Sequence, residues 1–117
     1  MATKAEKLEF YKKKLQERGY EDVDEDLLEK IVDLLGPSIF RDDAELVACS
    51  DEGELERIVD SFLVGKLHLE DEPVGELLAT VKDVCEELSE YRKKYRAPFY
   101  YILVKKLGVE QRVFDLE

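Results

Sequence analysis

One histidine, two cysteines and three prolines are all that this chain of 117 residues holds of those types, and each scarcity excludes something. A single histidine and no Cys-x-x-Cys spacing leave no donor set for a tetrahedral zinc site. Two cysteines cannot build the dense disulfide framework of a small secreted domain. Cys49 and Cys85 are therefore expected as buried or half-buried thiols, since a free cysteine packs as a small hydrophobe. Long apolar runs are missing too. The longest, Ala97 to Val104, has eight residues, against roughly 18 for a membrane span. The N-terminal stretch MATKAEKLEF carries charge but no apolar core of a secretory signal, so a cytoplasmic location is expected.

The usual catalytic spacings are absent as well: the chain has no GxSxG, P-loop, HExxH or GxGxxG. His68 alone has an ordinary pKa near neutrality, and it falls where a helix C-terminus would favour its charged form. A capping or surface role is expected for it. Asp22, Asp24 and Asp26 have the spacing of a calcium loop, but Leu27 stands where the loop needs glycine and Asp33 where it needs glutamate. The expectation is a protein that is not an enzyme, with no catalytic residue, no metal ligand and no cofactor.

Acidic residues are missing from one long segment of an otherwise acidic chain. The formal net charge is −11, which disfavours general binding to nucleic acid because phosphate repels it. Yet no Asp or Glu occurs between Glu90 and Glu110, and that gap holds Arg92, Lys93, Lys94, Arg96, Lys105 and Lys106 among Tyr91, Tyr95, Phe99, Tyr100 and Tyr101. Residues 19 to 90 sum to −18, residues 91 to 109 to +6 and residues 1 to 18 to +3.

Apolar residues at 44% and charged residues at 40% suit a folded domain with a well-solvated surface. The length fits one domain over residues 1 to 117. Thr3 and Glu6 form a capping box for a first helix running to about Arg18, closed at Gly19. Asp24 caps a second helix, which Gly36-Pro37 stops. The loop from Pro37 to Ser50 is irregular, with Ile39 and Phe40 expected to plug the core. Ser50 or Asp51 caps a third helix ending near Leu67, weakened by Gly65 in its last turn. Pro73 fits the first turn of a fourth helix, whose apolar stripe reaches Leu88 and includes Cys85. A fifth helix is expected from about Ser89 to Gly108, with a kink or a fresh start at Pro98. A strand over Phe99 to Val104 is the local alternative, but no other segment reads as its partner. Residues 109 to 117 read as a docked or frayed tail. The predicted fold is all-α, a compact single-domain bundle of about five helices, with the C-terminal one central because it is apolar nearly all round.

Three blocks carry a resemblance: Gly36-Pro37-Ser38-Ile39-Phe40; Asp43-Ala44 with Leu46-Val47-Ala48-Cys49-Ser50-Asp51; and Lys94-Tyr95-Arg96 followed by Phe99-Tyr100-Tyr101. Together they resemble the bacterial domain of unknown function 2853 family, over roughly residues 5 to 114. The resemblance implies a small helical domain and brings no activity. The chain departs from that pattern at Gly65 and His68 and at Ser89-Glu90.

The functional expectation is a small interaction module. Its candidate partner-binding residues are Tyr91, Arg92, Lys93, Tyr95 and Arg96, which would engage an acidic protein or a second copy of the chain through cations and exposed tyrosine. The bland alternative is a core helix whose cations pair with the acidic helices. A small-ligand or enzymatic pocket near the loop at residues 37 to 49 is a second reading, and weak RNA or single-stranded DNA binding a third.

Overall fold

Thr3 caps the first helix as its sequence dictates: its hydroxyl accepts from the Glu6 amide, and Glu6 accepts from the Thr3 amide. In the computed structural model, which describes residues 2–116, six α-helices follow in order. They are α1 (Lys4–Glu17), α2 (Glu25–Leu35), α3 (Glu52–Arg57), α4 (Val74–Glu87), α5 (Arg96–Leu107) and α6 (Glu110–Phe114). A 3-10 turn, Gly36–Phe40, follows α2, and a π-helical stretch, Ile58–Val64, continues α3. No strand occurs among the described residues. A single antiparallel bridge joins Leu46 to Tyr95. The radius of gyration, 13.3 Å, is that of one domain of this length, roughly 13 Å. No helix among the described residues is long and apolar enough to cross a membrane.

The architecture turns on α5. Every residue from Ala97 to Val104 is buried, and α1, α2 and α4 all pack on this helix. Pro98 is its third residue, and the first intrahelical bond is donated by the next one, from the Phe99 amide to the Tyr95 carbonyl. Proline's missing N–H therefore costs nothing here, because first-turn donors have no helical acceptor. The expected fresh start is present, but residues 89 to 95 ahead of it are turn and extended chain, which corrects the reading of one helix from Ser89. Tyr91 and Tyr95 thus do not continue a helical face. Within that tail, α6 packs on α2 and buries Val113 completely.

Two packing expectations are corrected. Ile39 is core, 3% exposed, but Phe40 is 50% exposed, because the 3-10 turn's threefold period points successive side chains in different directions. Gly65 ends the π-helical stretch, where the wider hydrogen bonds from Gly65 to Asp60 and from Leu67 to Phe62 bring carbonyls close. A Cβ at residue 65 would lie 2.6 Å from the Ser61 carbonyl oxygen, so this glycine meets a steric need.

The largest correction concerns the cysteines. Cys49 and Cys85 are half-buried, as expected, but they are not thiols: they form a disulfide that joins the loop before α3 to the last turn of α4, with a sequence separation of 36. By chain entropy alone, closing such a loop contributes on the order of 4 kcal/mol. Spacing does not reveal the pair, because only the packing of α4 against the loop brings the two Cα atoms to 5.8 Å.

Candidate functional site

The turn between α4 and α5 is held through its backbone carbonyls. The Lys94 ammonium donates to the Tyr91 carbonyl at 2.8 Å, and Arg18 of α1 donates to the Lys93 carbonyl at 3.3 Å. The Val47 amide donates to the Lys94 carbonyl at 2.8 Å, and the Arg96 amide donates to the Glu45 carbonyl. Those last two bonds flank the Leu46–Tyr95 bridge. The second and third blocks of the family-like sequence are thus stitched to one another.

The five candidate residues separate into two groups. Arg92 and Lys93 are exposed, and neither forms an ion pair among the described residues. Tyr91, Tyr95 and Arg96 are half-buried and already engaged. The Arg18 guanidinium lies over the Tyr91 ring at 4.0 Å from its centroid, and the Tyr91 hydroxyl donates to the Glu17 carbonyl. Tyr95 meets Phe10 edge to face at 5.0 Å.

Arg96 points inward. Its Nε donates to the Ala44 carbonyl at 2.8 Å, one Nη to the Leu46 carbonyl at 2.9 Å and to Glu54 Oε1 at 2.5 Å, and the other to the Tyr100 hydroxyl at 3.2 Å. The planar fork of arginine suits such a set of acceptors, which an ammonium could not reach at once. Arg96 is the clamp that holds the 44–46 loop against the bundle. Burial pushes the Tyr100 phenol's pKa up, against the opposing pull of Arg96.

Beside it lies a second internal cluster that no periodicity in the sequence marks. Glu45, 8% exposed, accepts from the Tyr11 hydroxyl at 2.5 Å and from the Lys7 ammonium at 2.8 Å. Burial, and then the hydrogen bond to Glu45, raise the Tyr11 pKa. Of the further cations of the gap, Lys106 pairs with Glu87 of α4 at 2.8 Å, as the bland alternative foresaw, whereas Lys105 pairs with Glu110 of α6 at 3.5 Å, outside the acidic helices. Glu87 also accepts from the Tyr20 hydroxyl. Burial works to raise its pKa, but the bonds from Lys106 and Tyr20 outweigh burial and hold it below the usual range.

The outer face of the same turn borders an open cleft of about 460 Å³, lined by Val47, Ala48, Cys49, Ser50, Cys85, Ser89, Arg92 and Lys94. Its charged lining is wholly cationic. Two other surface clefts, one between α1 and α2 and one between the π-helical stretch and α4, include Glu9, Glu25, Asp26 and Glu29, or Glu56 and Asp60. The cationic cleft holds the disulfide, and it adjoins the loop region to which the sequence pointed.

His68 is exposed, has a left-handed backbone (φ 57°) and lies 3.3 Å from Glu70. Its carbonyl accepts from Arg112 at 2.9 Å. It closes a helix end, a position that glycine more often takes. No group of three or more His, Cys, Asp or Glu suited to a metal ion occurs among the described residues.

The model of a family described as "Protein of unknown function (DUF2853)" matches residues 10–111. No curated protein matches the chain.

Proposed function

This chain belongs to the DUF2853 family, and we propose that it is a cytoplasmic, non-enzymatic interaction module whose basic turn engages an acidic protein surface. The observation that carries the reading is the pair Arg92 and Lys93: two adjacent exposed cations, with no ion pair among the described residues, in a chain of net charge −11. The turn beneath them is pre-organised by the bonds from Arg18, Lys94 and Val47, so docking there loses little conformational freedom. A second copy of this chain, with its strongly acidic residues 19 to 90, offers one such acidic surface. Charge complementarity of this kind sets on-rate and specificity more than raw affinity.

Arg92→Glu with Lys93→Glu, used as bait beside the unaltered protein at low and moderate salt, tests it. The expected result is a bound partner, or a self-associated species in sedimentation, that salt and the charge reversal both remove while the thermal transition stays within a few degrees. A bait that retains no salt-sensitive partner and does not self-associate, or one indifferent to the reversal, overturns it.

A small-ligand site is the second reading, favoured by the cationic cleft beside the loop. For RNA or single-stranded DNA, the aromatic faces that would stack on bases are the same ones occupied by Arg18 and Phe10.

A further inference from the structure

We propose that the Cys49–Cys85 disulfide is a thiol-exchange site for an anionic low-molecular-weight thiol, whose carboxylates dock on Arg92 and Lys94. The inference goes beyond the interaction reading: it rests on the cytoplasmic location proposed there but needs no acidic protein partner. Three observations converge. Both cysteines are half-buried rather than enclosed, and both line one open cleft large enough for a small peptide. The charged side chains of that cleft are Arg92 and Lys94, with Ser50 and Ser89 as further hydrogen-bonding groups and no carboxylate. Lys94 spends one ammonium donor on the Tyr91 carbonyl and keeps two for a ligand. A disulfide in a reducing compartment is as a rule transient and redox-active rather than structural, which agrees with an accessible bond.

The two sulfurs are not equivalent. Cys85 sits in the last turn of α4, at the negative end of a fourteen-residue helix, where a thiolate is disfavoured. Cys49 lies in the loop before α3 rather than in a helix's last turn, which makes it the better leaving group. The incoming thiolate therefore attacks Cys85 Sγ. A new S–S bond forms between the small thiol and Cys85, the Cys49–Cys85 bond breaks, and its electron pair leaves on Cys49 as thiolate beside the cleft cations. The small thiol's sulfur is oxidised and that of Cys49 reduced, so no other oxidant is needed. Attack by Cys49 on the mixed disulfide reverses the step.

The test compares reduction of the folded, unaltered protein by glutathione, an anionic thiol, with reduction by cysteamine, a cationic one. Each rate is divided by that reagent's rate on a short neutral disulfide peptide, with alkylation and mass mapping as the readout. The expected result is a normalised preference for glutathione of about tenfold, with the adduct on Cys85 and the alkyl group on Cys49. About 1 M salt, where the Debye length is about 3 Å, should erase the preference, as should Arg92→Glu with Lys94→Gln. Equal normalised rates in the unaltered protein overturn the proposal. So does a preference that survives about 1 M salt or survives the substitution in a folded variant, or a disulfide that neither reagent reduces until the chain is unfolded. The salt series needs no variant, so a substitution that fails to fold leaves the test intact.

Discussion

Arg96 and Glu54 form the partly buried ion pair that fixes the irregular loop to the bundle, at 2.5 Å and with side chains only 15% and 12% exposed. The same guanidinium holds the carbonyls of Ala44 and Leu46. Removing Arg96 leaves those two carbonyls without their donor in a poorly solvated place, and leaves Glu54 with only the exposed Arg57 as counter-ion.

Arg96→Ala is accordingly expected to lower stability by about 3 kcal/mol, with a fall in Tm of at least about 10 °C. Glu54→Gln keeps a hydrogen-bond acceptor for Arg96 and should lose only about 1–2 kcal/mol. Thermal unfolding of the two variants, with the disulfide intact, checks the order. If Arg96→Ala proves no worse than Glu54→Gln, Arg96 is not the clamp.

Gly65→Ala should destabilise the chain even though alanine is the better helix former. The ordinary gain for that exchange in a helix interior is about 0.5–1 kcal/mol, but here the new methyl meets the Ser61 carbonyl oxygen at 2.6 Å, and backbone must shift. A net loss of about 1–3 kcal/mol is expected, read as a lower urea midpoint with unchanged slope. A higher midpoint would mean that the π-helical turn relaxes to an α-helix at no cost.

Stability should decline above about pH 10. Tyr11, Tyr20 and Tyr100 all have raised pKa values in the fold, each first through burial, with Glu45 and Glu87 adding to it at Tyr11 and Tyr20. The unfolded chain loses those protons near the ordinary tyrosine value of about 10 while the folded chain keeps them. Their contribution is thus complete below pH 10 and is lost as pH rises towards the folded values. Urea titrations between pH 8.5 and 11 should show the decline, and Tyr20→Phe should flatten it. An identical slope in that variant would place the alkaline sensitivity elsewhere.

Local chemistry made much of the bundle legible. The capping box at Thr3 and Glu6, the Asp24 and Asp51 caps and the apolar stripes are contacts within one turn of chain, so residues close in sequence suffice to specify them. Pro98 marked a kink or a helix start, because its missing N–H costs nothing only in a first turn. Ala97 to Val104, apolar all round, required surroundings on every side, and so the central place of α5 could be read before any packing was known.

The candidate site divides differently, because what a side chain can bind depends on what already touches it. The acid-free segment around Arg92 was visible as a run of charge. Pattern cannot tell Arg92, which faces water, from Arg96, four residues on, whose partners at Ala44, Leu46 and Glu54 come from some 40 to 50 positions away. Glu45, buried between Lys7 and Tyr11, looked like any other surface acid. The Cys49–Cys85 bond and the cationic cleft it borders exist only because α4 and the loop meet in space. The sequence alone determined that the chain is a helical domain with one basic stretch. Tertiary packing decided which of those cations remain available and joined the two cysteines, because burial and pairing depend on distances between residues far apart in the chain.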